Sequence, residues 1–183
     1  MMQLNSQRQW SALIGVVLLM SCAFFFCPAN GYAKAKPEPK VCFSPKGGCE
    51  QTIVDTIDQA KHTILIQAAS LSLYAVLEAL IEAEKRGVSV EVILDKRQLV
   101  SLGAGLGFIV KAGAVVYLDG EHPIAHNSVM IMDGGTVITG SYNFTNKAED
   151  TDAENLLILQ DKTVAAKYTA NWNQHKTHSE KFE

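Results

Sequence analysis

The sequence predicts an α/β fold: a mixed, mostly parallel β-sheet with helices on both faces, carried by residues 41–183. Three observations predict it. Between Glu50 and Leu118, short apolar runs rich in β-branched residues alternate with amphipathic segments. Strand–helix–strand order needs crossover helices and gives parallel pairing. Two further short strands are then separated by Gly134-Gly135, the mark of a hairpin and so of antiparallel additions. Finally, 183 residues with 48% hydrophobic and 19% charged suit one domain with a short appendage, and exclude a disordered chain or a multi-span membrane protein.

The elements follow in order. Residues 1–33 read as a signal peptide: Arg8 precedes an apolar run from Trp10 to Cys27, and Gly31 and Ala33 form a small-x-small exit. The run is also long enough to span a bilayer, so an uncleaved anchor is an alternative. A lipoprotein site at Leu19-Met20-Ser21-Cys22 is a third. Each reading exports the remaining chain, to the periplasm or beyond. Lys34–Lys40, rich in Lys and Pro, reads as a linker. Glu50–Lys61 has Ile53, Val54, Ile57 and Ala60 at helical spacing. Thr63–Ala69 is a buried strand. Leu71–Arg86 is an amphipathic helix with Leu73, Val76, Leu77, Leu80 and Ile81 on one stripe, stopped by Gly87. Val88–Leu94 is a strand, Leu99–Ala112 a weaker helix containing three glycines, and Ala114–Leu118 a strand. Ser128–Met132 and Thr136–Thr139 make the hairpin, Glu154–Leu159 a last strand and Lys162–His175 a last helix.

Cys22 and Cys27 fall in the leader, which leaves Cys42 and Cys49 in the body. Pro45 and Gly47-Gly48 fold that segment into a tight loop. Two cysteines in an exported chain are expected to pair, the alternative being two free thiols. With no nearby His they supply only half a metal-ligand set. Net charge is −3 for the whole chain. Such a chain does not advertise nucleic-acid binding by bulk charge, so any phosphate recognition would have to come from a local site.

That site is expected between His122 and Glu154. On a strand, alternate residues share a face, so His126 and Ser128 point one way with Met130 and Met132 behind them, and Asp133 points the other. Ser141 and Asn143 share a face where the second hairpin arm ends. A His, hydroxyls and an amide at adjacent strand ends suit an oxyanion or a phosphate, with Glu154 placed to orient the His. His122 lies in a Pro-containing loop, where helical metal-ligand spacing does not apply. His175, His178 and the acidic turn Asp150–Glu154 read as solvated.

The segment resembles the phospholipase D superfamily, whose signature is His-x-Lys-x4-Asp followed by Gly-Ser-x-Asn. His126 and Asp133 fall at that spacing, and Gly140-Ser141-Tyr142-Asn143 matches the second part. The single motif copy, the short chain and the leader are similar to the small Nuc-type endonucleases of bacteria. The resemblance implies a phosphodiesterase that works on nucleic acid, or less favourably on phospholipid, through a phosphohistidine on His126. It implies a homodimer whose shared site lets the second His126 protonate the leaving group. Ser141 and Asn143 would bind phosphate, Glu154 would hold the His126 ring, Asp133 would be structural, and neither cofactor nor metal is required. One departure stands out: the signature Lys is Ser128. Loss of that charge should cost on the order of 3–4 kcal/mol of transition-state stabilisation, roughly 10²–10³ in rate, by analogy with oxyanion-hole deletions. The departure opens an alternative, a phosphodiester-binding pseudoenzyme or a subunit that pairs with an intact relative.

Overall fold

The computed structural model describes residues 36–99 and 103–182. The leader therefore lies outside the described residues, as do its cleavage and anchoring. The body, Lys36–Glu183, forms one compact unit. Among the described residues no helix is long and apolar enough to cross a membrane.

The chain runs β1 (Lys40–Ser44), α1 (Cys49–Asp58), β2 (Thr63–Ala68), α2 (Tyr74–Lys85), β3 (Ser89–Asp95), a 3-10 turn (Lys96–Gln98), α3 (Gly103–Ala112), β4 (Val115–Asp119), β5 (Ser128–Met132), β6 (Thr136–Gly140), α4 (Asn146–Asp150), β7 (Glu154–Gln160), α5 (Lys162–His178) and β8 (Glu180–Lys181). The eight strands form one sheet in the order β1-β7-β6-β5-β2-β3-β4-β8. The sheet is mixed, as expected, but it is not mostly parallel. Only β2–β3 and β3–β4 pair in parallel. The other five pairings are antiparallel. The reason is that only α2 and α3 cross over between strands that are neighbours in the sheet, whereas β5 and β6 are joined by a tight turn and the helices α1 and α5 join strands that do not pair with each other.

Helices cover both faces. On one side α1, α2 and α3 bury Ile53, Ile57, Val76, Leu80, Leu106 and Ile109 against a core that includes Ile64, Ile66, Met130 and Met132. On the other, α5 packs Ala165 and Trp172 on Ile93, Val129, Ile131 and Val137. The alternation expected of β5 is therefore present: Met130 and Met132 face α1 and α2, while Val129 and Ile131 face α5. The indole N–H of Trp172 donates to the Ile66 carbonyl at 2.9 Å, which satisfies a polar atom inside an apolar face.

The segment taken as a linker followed by a loop contains an edge strand, β1, which pairs with β7 from Lys40↔Ile158 to Ser44↔Glu154. Cys42 and Cys49 are disulfide-bonded, with Cα atoms 5.5 Å apart, so β1 is tied covalently to the start of α1. The β5–β6 turn places Asp133 (φ 50°) and Gly134 (φ 57°) in the left-handed region, where glycine and aspartate are tolerated best.

Candidate active site

The sheet positions a cleft lined by Ala69, Ser70, Asp95, Ile124, His126, Asn143, Thr145, Lys147 and Asp152, with a volume of about 370 Å³. It lies at the C-terminal ends of the parallel strands β2 and β3, where an open α/β sheet leaves a crevice between diverging loops.

His126 is exposed, but the backbone on each side of it is held. The N–H of Ala125 donates to Asp95 Oδ2 at 3.0 Å. The carbonyl of Asn127 accepts from Ala69 N–H at 3.0 Å. Asp95 is itself buried and accepts from the Arg97 backbone at 2.9 Å and from its guanidinium at 3.0 and 2.9 Å. Burial pushes the Asp95 carboxyl up, and the Arg97 and Ala125 donors outweigh it, holding the pKa below the ordinary aspartate value. Asp95 is thus a fixed anion that grips the loop one residue before His126.

Asn143 is fixed by its buried neighbours. Tyr142 and Phe144 are both fully enclosed. The Tyr142 hydroxyl donates to Glu149 Oε2 at 2.7 Å. The same carboxylate accepts the Glu50 N–H at the start of α1. Burial first, and then the Glu149 carboxylate, push the Tyr142 phenol far above its usual range, so it stays a hydrogen-bond donor. The Phe144 carbonyl accepts from Ser72 and Leu73 at 2.8 and 2.9 Å. Asn143 is therefore stapled between two core aromatics and presented to the cleft. Gly140 has a steric reason to be glycine: a Cβ there would lie 2.1 Å from the Asn155 carbonyl oxygen.

The remaining motif residues divide. Ser128 opens β5 opposite Ala68, is 8% exposed and is not among the residues that line the cleft. Ser141 does not accompany Asn143. Its hydroxyl instead accepts from Asn155 N–H and Nδ2, both at 3.1 Å, and it is not among the residues that line the cleft. Glu154 pairs through its backbone with Ser44. It lies on the sheet face of Leu156 and Ile158, yet outside the cleft lining, and the hydrogen bonds of the described residues do not join it to His126. Asp133 has a structural place. Its carboxylate accepts the N–H groups of Lys61, His62 and Thr63 at 2.9, 2.8 and 3.0 Å, capping the entry to β2. Burial raises its pKa, and the three backbone donors outweigh that, leaving it below the ordinary aspartate value.

Sequence reasoning missed Lys147. Thr145 caps α4 by accepting the Ala148 N–H at 3.2 Å, which puts Lys147 in the first turn beside Asn143. Its ammonium donates to Asp152 at 2.8 and 2.9 Å, and this bond lowers the Asp152 pKa. The available signal is the polar run after Phe144, with Thr145 at a cap position before Asn146–Asp150. His175 and His178 are also not simply solvated. They lie against the buried Asp119, with His122 beside them.

Comparison with known proteins agrees with this geometry. Residues 53–176 match the family model described as "Cardiolipin synthase, PLD-like domain". The chain is 40% identical over 138 residues to a phospholipase D of Rickettsia prowazekii, covering 75% of this chain and 67% of that protein. It is 30% identical over 110 residues to a mitochondrial cardiolipin hydrolase of Xenopus tropicalis, covering 60% and 52% respectively. Among solved structures, Nuc from Salmonella typhimurium, a phospholipase D family member, superposes with a TM-score of 0.77 at 30% identity, over 81% of this chain and 99% of that one. The chain therefore belongs to the phospholipase D superfamily, with a Nuc-like fold.

Proposed function

We propose that this chain is an exported phosphodiesterase that cleaves nucleic acid in preference to phospholipid, with His126 as nucleophile in a homodimer. One observation carries the reading: His126 and Asn143, from the two separate halves of the motif, line one cleft. The His126 imidazole attacks phosphorus, and an N–P bond forms as the P–O bond to the leaving group breaks. The second His126 of the dimer gives that oxygen its proton. Water then displaces the imidazole and returns a proton to the second ring.

Lys147 supports the reading by supplying an ammonium to a cleft whose motif Lys is Ser128. Ile124, 66% exposed in the same lining, is an apolar residue of the kind that a two-fold contact beside His126 would cover. The preference for nucleic acid rests on the walls. Ser70, Asn143, Thr145 and Lys147 offer hydrogen bonds suited to a sugar–phosphate chain. The apolar groove formed by Tyr74, Leu77, Ile81 and Phe108 shares no lining residue with the cleft. A second reading, a phosphodiester-binding pseudoenzyme, is favoured by Ser128, whose short neutral side chain stands where the motif has Lys.

The test is a substrate panel on the purified protein: single-stranded DNA, double-stranded DNA, and cardiolipin or phosphatidylcholine vesicles. Cleavage of DNA that disappears in His126→Ala supports the reading. Lipid hydrolysis without DNA cleavage reverses the preference. DNA binding without cleavage of either substrate selects the pseudoenzyme.

A further inference from the structure

We infer that Asp119, His122, His175 and His178 form a structural zinc site, separate from the phosphodiesterase cleft. Three parts of the fold bring them together. Asp119 ends β4 and is completely buried. His122 lies in the loop that follows. His175 and His178 are three residues apart on the last turn of α5, so they share one helix face.

The contacts are close. Asp119 Oδ2 lies 2.8 Å from His175 Nδ1 and 3.3 Å from His178 Nε2. The three imidazole rings are mutually adjacent, with centroid separations of 5.1, 5.4 and 5.2 Å. One ligand atom from each of the four residues falls within 4.8 Å of all the others. A tetrahedral zinc with bonds of about 2.0–2.1 Å needs ligand atoms roughly 3.3 Å apart. Two of the pairs are already at or inside that spacing, so small side-chain rotations complete the set.

Charge argues the same way. A single carboxylate faces three imidazoles, and three protonated rings at this spacing would repel one another. A divalent cation at the centre lets each neutral ring present a lone pair and leaves the carboxylate as the anionic ligand. Three nitrogens and one oxygen favour zinc over magnesium or calcium, which prefer oxygen ligands. Four protein ligands close the coordination sphere, as structural sites do. The outer shell is also built, since Asp119 Oδ1 accepts the Glu121 N–H at 3.1 Å.

The consequence is mechanical. Zinc would fasten the end of α5, and with it the entry to β8, onto the loop between β4 and β5. That loop carries His126 four residues beyond His122. The ion would thus stiffen the segment that presents the nucleophile without touching substrate.

The test needs no substrate, so it is independent of the phosphodiesterase reading. The purified full chain is stripped with chelator, dialysed and titrated with Zn²⁺ alone, while bound metal per chain and Tm are measured. One zinc per chain and a Tm rise of about 5 °C or more at saturating zinc are expected. Co²⁺ in its place should give the intense visible bands of tetrahedral coordination. His122→Ala, a loop substitution, should abolish stoichiometric binding and the Tm rise, whereas His126→Ala should retain both. A folded protein, checked by circular dichroism, that binds no zinc overturns the inference. So does zinc binding that survives both His122→Ala and His175→Ala. Binding lost in His126→Ala but kept in His122→Ala would place the metal in the cleft and equally overturn it.

Discussion

Position 128 starts β5 two residues after His126, so by alternation a longer side chain there projects to the same side as His126. Ser128→Lys should raise phosphodiesterase activity, recovering a large part of the estimated ~10²–10³ loss. The gain should vanish in the double variant with His126→Ala, and an inert but folded Ser128→Lys would count against the idea. Lys147 is exposed and paired with Asp152. Lys147→Ala should lower kcat/KM about 10-fold or more while leaving Tm within about 1–2 °C, because exposed ion pairs contribute little stability. A fall in Tm without a change in rate would make Lys147 merely structural. Asp133 makes the opposite prediction. Asp133→Ala removes three charge-assisted bonds at the start of β2 and should cost about 1–2 kcal/mol, a figure reduced for the site's solvent exposure. Its depressed folded pKa fixes the sign of the pH dependence. The stabilisation is fully present above the unfolded aspartate pKa of about 3.9 and is lost as pH falls through the lower folded value. Comparing urea midpoints of the parent and Asp133→Ala between pH 7 and pH 3 should show the gap begin to narrow below about pH 4.

At the scale of elements, the sequence made the helices and central strands legible and the site only in part. The stripe Val76, Leu77, Leu80 on α2 and the β-branched runs of β2 and β3 are read from periodicity, because burial of one face writes itself into spacing. Edge and terminal elements carry no such signal. β1 exposes Val41 and Phe43 and owes its existence to pairing with β7 and to the disulfide, neither of which shows as a hydrophobic period. β8, two residues long, exists only as a partner to β4. The excess of antiparallel pairing was hidden for a similar reason, since strand order after Met132 depends on how hairpin and edge strands add rather than on their composition. Within the site, His126, Asn143 and Asp133 were legible because a motif fixes their spacing. The engagement of Ser141 by Asn155, and the place of Glu154, were not, because hydrogen bonds between β6 and β7 leave no mark in the spacing of one segment. Gly140→Ala tests the element-level account. A Cβ cannot fit against the Asn155 carbonyl without moving β6 from β7, so this small change should cost about 1–3 kcal/mol. A Tm equal to the parent's would show that the two strands can part freely.

For the whole molecule, the proposed two-histidine chemistry needs a second His126 beyond the single motif of one chain, and a two-fold dimer beside His126 is the economical source. Ile124→Asp puts a charge on the exposed apolar residue of the cleft lining. It should shift the protein from dimer to monomer in light scattering at micromolar concentration and reduce activity in parallel. A wild-type monomer at that concentration would contradict the dimer. Export makes a separate whole-chain prediction: protein recovered from the periplasm should begin near Lys34, with a mass about two hydrogens below the reduced value, and a chain still beginning at Met1 would contradict cleavage. The measurement that bears most directly on the central claim is the initial rate of bis-p-nitrophenyl phosphate hydrolysis by the purified protein and its His126→Ala variant, with folding of both checked by circular dichroism. The account predicts a measurable rate in the parent, held below the ~1–10³ per second typical of enzymes by Ser128, and no rate above background in His126→Ala. Equal rates in the two proteins would contradict it.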